Sequence, residues 1–157
     1  MPILLILTSI SIILATILTL GTYRTFKVQT APGQKVFLAG NIPEKSPEGI
    51  YKGSVKNLTT KWIGKSFNAK DSSGINNFKE GDKIVQKYPF KTYVGRGIQD
   101  RDKDVLKIDY NIPENPLWLR FILDEVVEIA PNKFLGKVHI SFLSGLAFSL
   151  GYFTLEK

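Results

Sequence analysis

Residues 3–20 carry no charge and consist of Ile, Leu and Ala with scattered Thr and Ser. At about 1.5 Å per residue a helix of this length reaches roughly 27 Å, close to the ~30 Å hydrocarbon core of a bilayer. Pro2 stands where a helix tolerates proline, and Gly21 where one often stops. A cleaved signal peptide competes with this reading, but it asks for a basic segment ahead of the apolar run and small residues at a cleavage site. Only the chain's own amino group precedes the run, and neither Thr19-Leu20-Gly21 nor Thr30-Ala31-Pro32 makes a good site. The expectation is a retained single transmembrane anchor over residues 1–22, a linker over 23–34 and one domain over 35–157.

Flanking charge gives the anchor a direction. Nothing basic precedes it, whereas Arg24, Lys27 and Lys35 follow it. The positive-inside rule places the C-terminal domain on the cytoplasmic side, with these three residues as membrane-surface contacts. The helix also has a side. At 100° per residue Thr8, Ser11, Ala15 and Thr19 fall on one face, where small residues let a partner helix approach. The alternative use of those hydroxyls is to bond back to their own helix.

The remaining residues suffice for one domain with a proper core. Cysteine is absent, which excludes disulfides, thiolate catalysis and Cys-based metal sites. Lysine outnumbers arginine 17 to 4, which argues against bidentate phosphate recognition, and no nucleic-acid module signature appears. The net charge of +7 lies wholly in residues 24–70, with nine basic and two acidic residues; from Asp71 onward twelve of each sign cancel. Such a segment beside an anchor suits anionic lipid headgroups, or serves solubility alone.

Beyond the linker, short apolar or alternating runs recur between turn signals. Residues 35–39, 61–69, 75–79, 83–96, 105–110, 117–123, 126–129, 134–142 and 148–156 read as strands. Residues 105–110 alternate, with Leu106, Ile108 and Tyr110 on one face. Pro89 inside residues 83–96 predicts a bulge, edge or break. The fold class is mainly β: one transmembrane helix, then an antiparallel meander closing into a barrel.

Two stretches carry a resemblance. Residues 61–67 (KWIGKSF) resemble the Trp-x-Gly-Lys-x-Phe strand of the uncharacterised GXWXG-type small barrels, and residues 105–137 resemble the C-terminal module of that group. The closing Gly151-Tyr152-Phe153-Thr154-Leu155 fits as well, and Thr60 stands where the first glycine of GXWXG would be. The likeness covers the last hundred residues or so. It implies a calycin or lipocalin-like barrel and no reaction.

No catalytic motif, metal set or cofactor signature stands out. Asp100, Asp102 and Asp104 read as a solvated tip, Asp124-Glu125 as a strand junction, and His139 as exposed on the polar side of its strand. Aromatics on the strands serve a core, or line a cavity that accepts an apolar molecule. On the second reading Trp62, Tyr93, Tyr110, Trp118 and Arg120 are the ligand-binding candidates. Arg120 lies inside an apolar run, so it either pairs with Asp109 or Glu125 or orients an acidic ligand head. The leading expectation is a membrane-anchored barrel that binds a lipid or other apolar molecule at the membrane surface. An accessory subunit packed through the helix face is the alternative, and an enzyme acting on a membrane-soluble substrate a third.

Overall fold

The computed structural model describes residues 2–142 and 145–157. The N-terminal helix forms and outruns its apolar part: α1 spans Pro2–Gln29. Its most apolar stretch has a mean hydropathy of 2.7, is entirely uncovered by the rest of the chain, and is long and apolar enough to cross a membrane. Gly21 does not stop the helix, because the next two turns pack on the domain and tertiary contact overrides propensity. Ala31 is extended (φ −70°, ψ 154°), as the ring of the following proline favours. Helix α2, Pro32–Ala39, then starts with proline in its first turn.

Residues 23–34, expected as a linker, and 35–39, expected as a strand, are therefore largely helical. Five apolar residues cannot be assigned to helix or strand by periodicity. What decides is Phe37, which the helix inserts, fully buried, among Val105, Val127 and Leu135 on the outer wall of the domain.

The domain is a closed antiparallel barrel of eight strands. They are β1 Gly49–Ser54, β2 Trp62–Asn68, β3 Ser73–Glu80, β4 Lys83–Arg96, β5 Asp104–Asp109, β6 Ile122–Ala130, β7 Lys133–Ser141 and β8 Ala147–Glu156. Tyr88 takes a left-handed φ of 63° beside Pro89, and the β3–β4 register slips there, as the proline predicts. Residues 117–123, expected as a strand, supply a single 3-10 turn, Leu119–Phe121, before β6 begins. Asp124 and Glu125 lie within β6, not at a junction.

Closure is short. Only Lys52, Gly53 and Ser54 of β1 pair with Glu156, Leu155 and Thr154 of β8. Helix α1 lies along the earlier part of β8. The Ser149 amide donates to Thr25 Oγ1 (2.9 Å), and Arg24 Nε donates to the Leu150 carbonyl (2.7 Å). An edge strand left bare would expose unpaired backbone groups, and the helix supplies two of the missing partners. Gly21 sits against the Phe148 ring, while further along the Tyr152 hydroxyl lies 3.2 Å from the Val28 carbonyl. The helix thus runs in the direction of β8, and its apolar part leaves the barrel at the end where β8 begins. Because every neighbour is antiparallel, the loops after β1, β3, β5 and β7 share this helix-exit end; those after β2, β4 and β6 are at the far end.

Inside, Tyr51, Phe67, Phe90, Ile108, Tyr110, Phe134, Phe153 and Leu155 form the core. Rings meet at 5.5 Å between Tyr51 and Phe67, 5.4 Å between Phe67 and Phe90, and 5.7 Å between Phe90 and Tyr110. Gly136 leaves space that the Phe153 ring occupies; a Cβ there would overlap the ring. These contacts fill the barrel in the way small eight-stranded barrels allow.

Candidate functional site

Three polar arrangements and two clefts compete as the functional site. The first arrangement is inside. On β2 the bulge near Gly64 and the strand period turn Lys65 inward, opposite Asn76 of β3. Lys65 Nζ pairs with Asp124 of β6 at 3.1 Å, donates to Asn76 Oδ1 at 2.9 Å, and bonds the Tyr110 hydroxyl. Trp62 Nε1 donates to the same Asn76 oxygen (2.9 Å). The ammonium sits 5.1–5.4 Å from the ring centres of Trp62, Phe90, Tyr110 and Phe153, a cation–π setting that offsets part of its lost hydration. Burial lowers the Lys65 pKa and Asp124 opposes the shift; burial, with Asp124, raises Tyr110 well above its ordinary value. Packed rings surround a polar centre that satisfies itself.

The second is on the outer wall under α1. Glu125 Oε1 accepts from Lys107 Nζ (2.8 Å) and the Ile98 amide (2.6 Å), and Oε2 lies 3.1 Å from His139 Nε2. His139 Nδ1 lies 3.1 Å from Ser149 Oγ. Burial would raise the Glu125 carboxyl, but the hydrogen bonds and charges of His139 and Lys107 outweigh it and hold the pKa at about 2. With Glu125 ionised, the imidazole donates from Nε2 and Nδ1 faces the serine hydroxyl. The order Ser–His–Glu matches a nucleophile relay. Here Ser149 and His139 are fully buried, and the Ser149 amide is bound to α1. The array ties β5, β6, β7 and β8 to the loop after β4 and presents no open nucleophile.

The third lies under α2. Lys137 Nζ pairs with Asp100 (2.6 Å), donates to Gln34 Oε1 (2.7 Å) and Gln29 Oε1 (3.1 Å), and sits 4.2 Å from the Phe37 ring centre. Tyr152 OH donates to the same Gln34 oxygen (2.7 Å). Burial lowers the Lys137 pKa against the pull of Asp100. Asp100 is therefore a fastener for both helices rather than a solvated tip, and His139 is buried rather than exposed.

Open space lies elsewhere. A cleft of about 520 Å³ is walled by Leu38 and Gln99, Asp100, Arg101, Asp102 and Lys103. Lys103 there is occupied by the carbonyls of Leu38 (3.0 Å) and Gly40 (2.5 Å). A cleft of about 410 Å³ opens on the outer wall at the helix-exit end, lined by Tyr93, Asp109, Asn111, Arg120, Ser141 and Phe142 over Leu117, Phe121, Ile122 and Leu123. Arg120 Nε donates to Asn111 Oδ1 (2.9 Å). Among the described residues its two terminal NH₂ groups have no protein acceptor. Asp109 Oδ1 accepts from the Asn111 amide (2.8 Å), and Tyr93 OH lies 3.5 Å from Asp109 Oδ2. Burial, reinforced by Asp109, raises the Tyr93 pKa. Among the described residues no three histidines or carboxylates gather to hold a metal ion.

The sequence candidates divide accordingly. Tyr93 and Arg120 meet in the cleft, and Trp118 lies beside it, exposed, its ring 5.9 Å from Tyr88. Trp62 and Tyr110 belong to the interior lysine network. Neither anticipated partner pairs with Arg120, because Glu125 is committed to Lys107 and His139 while Asp109 faces the same cleft. Arg24 is spent on β8, Lys27 lies 5.8 Å from the Tyr23 ring centre, and Lys35 rides on α2, away from the helix-exit end. The hydroxyls of Thr8, Ser11 and Thr19 bond back to Leu4, Leu7 and Ala15, and Ala15 completes that uncovered face. Lys65, Lys137 and Ser149 have no role in the sequence reading, and Asp124 and Glu125 have different ones there. Their only local signal was a charged or polar residue inside an otherwise apolar strand. No family model, curated protein or solved structure matches this chain.

Proposed function

We propose that the chain is a single-pass membrane protein whose barrel, on the cytoplasmic side, binds a membrane amphiphile in the cleft at the helix-exit end. One observation carries the reading: the cleft that joins an arginine to an apolar wall opens at the end from which the membrane-length helix leaves. Sites for small amphiphiles combine an apolar lining with a few placed polar groups. Arg120 supplies donors for a phosphate or carboxylate, in the geometry guanidinium favours. Leu117, Phe121, Ile122, Leu123 and Phe142 receive the chain. Asp109 across the cleft offers an acceptor to an amine, so a head bearing both signs, as in a zwitterionic phospholipid, fits better than a purely anionic one. The packed interior favours this outer cleft over a ligand inside the barrel. The basic flank of α1, with no charge ahead of it, favours the cytoplasmic side. The likeness to GXWXG-type barrels is compatible with this reading and adds no reaction to it.

The test is lipid retention. Full-length protein extracted in mild detergent should carry a phospholipid adduct in native mass spectrometry. Arg120→Met should lose it while its melting temperature changes little, since Arg120 makes one partly exposed hydrogen bond. Equal retention by wild type and variant, or no adduct on either, would end the proposal.

A further inference from the structure

Beyond the cleft, we infer that the helix-exit end of the barrel is itself a membrane-docking surface, whose loops after β1 and β5, together with Leu146 ahead of β8, enter the headgroup layer of the bilayer that α1 crosses. This rests on α1 being a membrane anchor. Leu117 and Trp118, ahead of the 3-10 turn, are 69% and 62% exposed; Leu58 after β1 is 60% exposed and Leu146 before β8 is 44% exposed. Exposed large apolar residues presented together mark an interaction surface, and tryptophan at the boundary of such a surface suits a bilayer interface.

The occupant follows from α1. The helix is fixed along β8 by Thr25, Arg24 and Val28, so the barrel does not swing on a loose tether. Its apolar part continues outward from the same end, and these loops therefore meet whatever surface the helix enters. The turn after β1 is built to present its apolar residue: Asn57 takes a left-handed φ of 60°, and the Leu58 amide donates to the Val55 carbonyl (3.2 Å). Lys56 and Lys61 flank Leu58 in sequence. Cations around an apolar tip match a headgroup layer that is apolar below and anionic above.

The absence of cysteine makes the test direct, because single cysteines can carry a fluorophore on the full chain. L117C, L146C and L58C report on this end, K70C in the β2–β3 turn reports on the far end, and I10C reports on the anchor. Each variant is reconstituted in nanodiscs containing lipids brominated near the headgroup or along the acyl chain. Docking predicts that the labels at 117, 146 and 58 are quenched several-fold more strongly than that at 70, most of all by the shallow bromines. If 117, 146 and 58 are quenched no more than 70, the docking surface is refuted. The label at 10 then tells whether the anchor fails with it. Lipid retention in the cleft is measured separately, so either result leaves that reading to its own test.

Discussion

Replacing Glu125 with Gln separates the charge of the buried outer-wall array from its packing. The carboxylate is fully buried and receives Lys107, the Ile98 amide and His139 at 2.8, 2.6 and 3.1 Å. Burial would raise its pKa, but His139 and Lys107 outweigh it and bring the value from the ordinary 4.5 to about 2. At 1.36 kcal/mol per unit, that gap corresponds to about 3 kcal/mol of stability carried by the ionised form. A depressed carboxyl contributes fully above its unfolded value and loses the contribution as pH falls through the folded one. The window therefore runs from about pH 5 down to about pH 2. The assay is denaturant unfolding of the full chain in micelles, followed by tryptophan fluorescence across that window. Glu125→Gln should be about 3 kcal/mol less stable than wild type at pH 7, and the gap should shrink steadily below pH 5. A gap that stays constant with pH would refute the assignment, since the loss would then be packing rather than charge.

Two further outcomes follow from the same geometry. Cutting the chain after Leu20 should leave a folded barrel, whereas cutting after Gln29 removes Thr25, Arg24 and Val28 from β8; amide exchange in residues 147–152 should rise sharply in the second protein and not in the first. Lys65→Met strands the Asp124 carboxylate inside the barrel and should cost about 3–5 kcal/mol, while Lys65→Met with Asp124→Leu should recover most of it. Thermal unfolding of both variants checks this, and an equally unstable double variant would argue against the interior pair as drawn.

The barrel was legible because alternation survives in its strands. Leu106, Ile108 and Tyr110 share the inner face that their spacing predicts, and Phe134 lies inward with them. The turn residues also marked most strand ends. What local pattern could not show was cover. His139 lies on the polar side of β7, as its spacing predicts, with Lys137 on the same face, and that face does point outward. It is buried because α1, α2 and the loop carrying Asp100 lie across it, and a strand's period says nothing about a remote segment that later covers it. Residues 23–39 were misread for the complementary reason. The stop at Gly21 is a local signal, whereas the buried positions of Val28 and Phe37 that keep these turns helical are tertiary. Lys65 shares a face with Phe67 by strand period, but its partner Asp124 comes from a distant strand. Arg120 was noticed because a charge interrupted apolar residues. Its cleft was not foreseen, because it is assembled from β4, β5, β6, β7 and the turn before β6.

The measurement that reaches the centre of the account is where a membrane lipid touches the protein. Full-length chain in native membranes is exposed to a photoactivatable phospholipid, cross-linked, digested and mapped by mass spectrometry. Label is expected on the cleft peptides containing Tyr93, residues 117–123 and Phe142, reduced in Arg120→Met, in addition to label on residues 3–20. Label confined to residues 3–20, or found on Trp62 and Tyr110 inside the barrel, would contradict it.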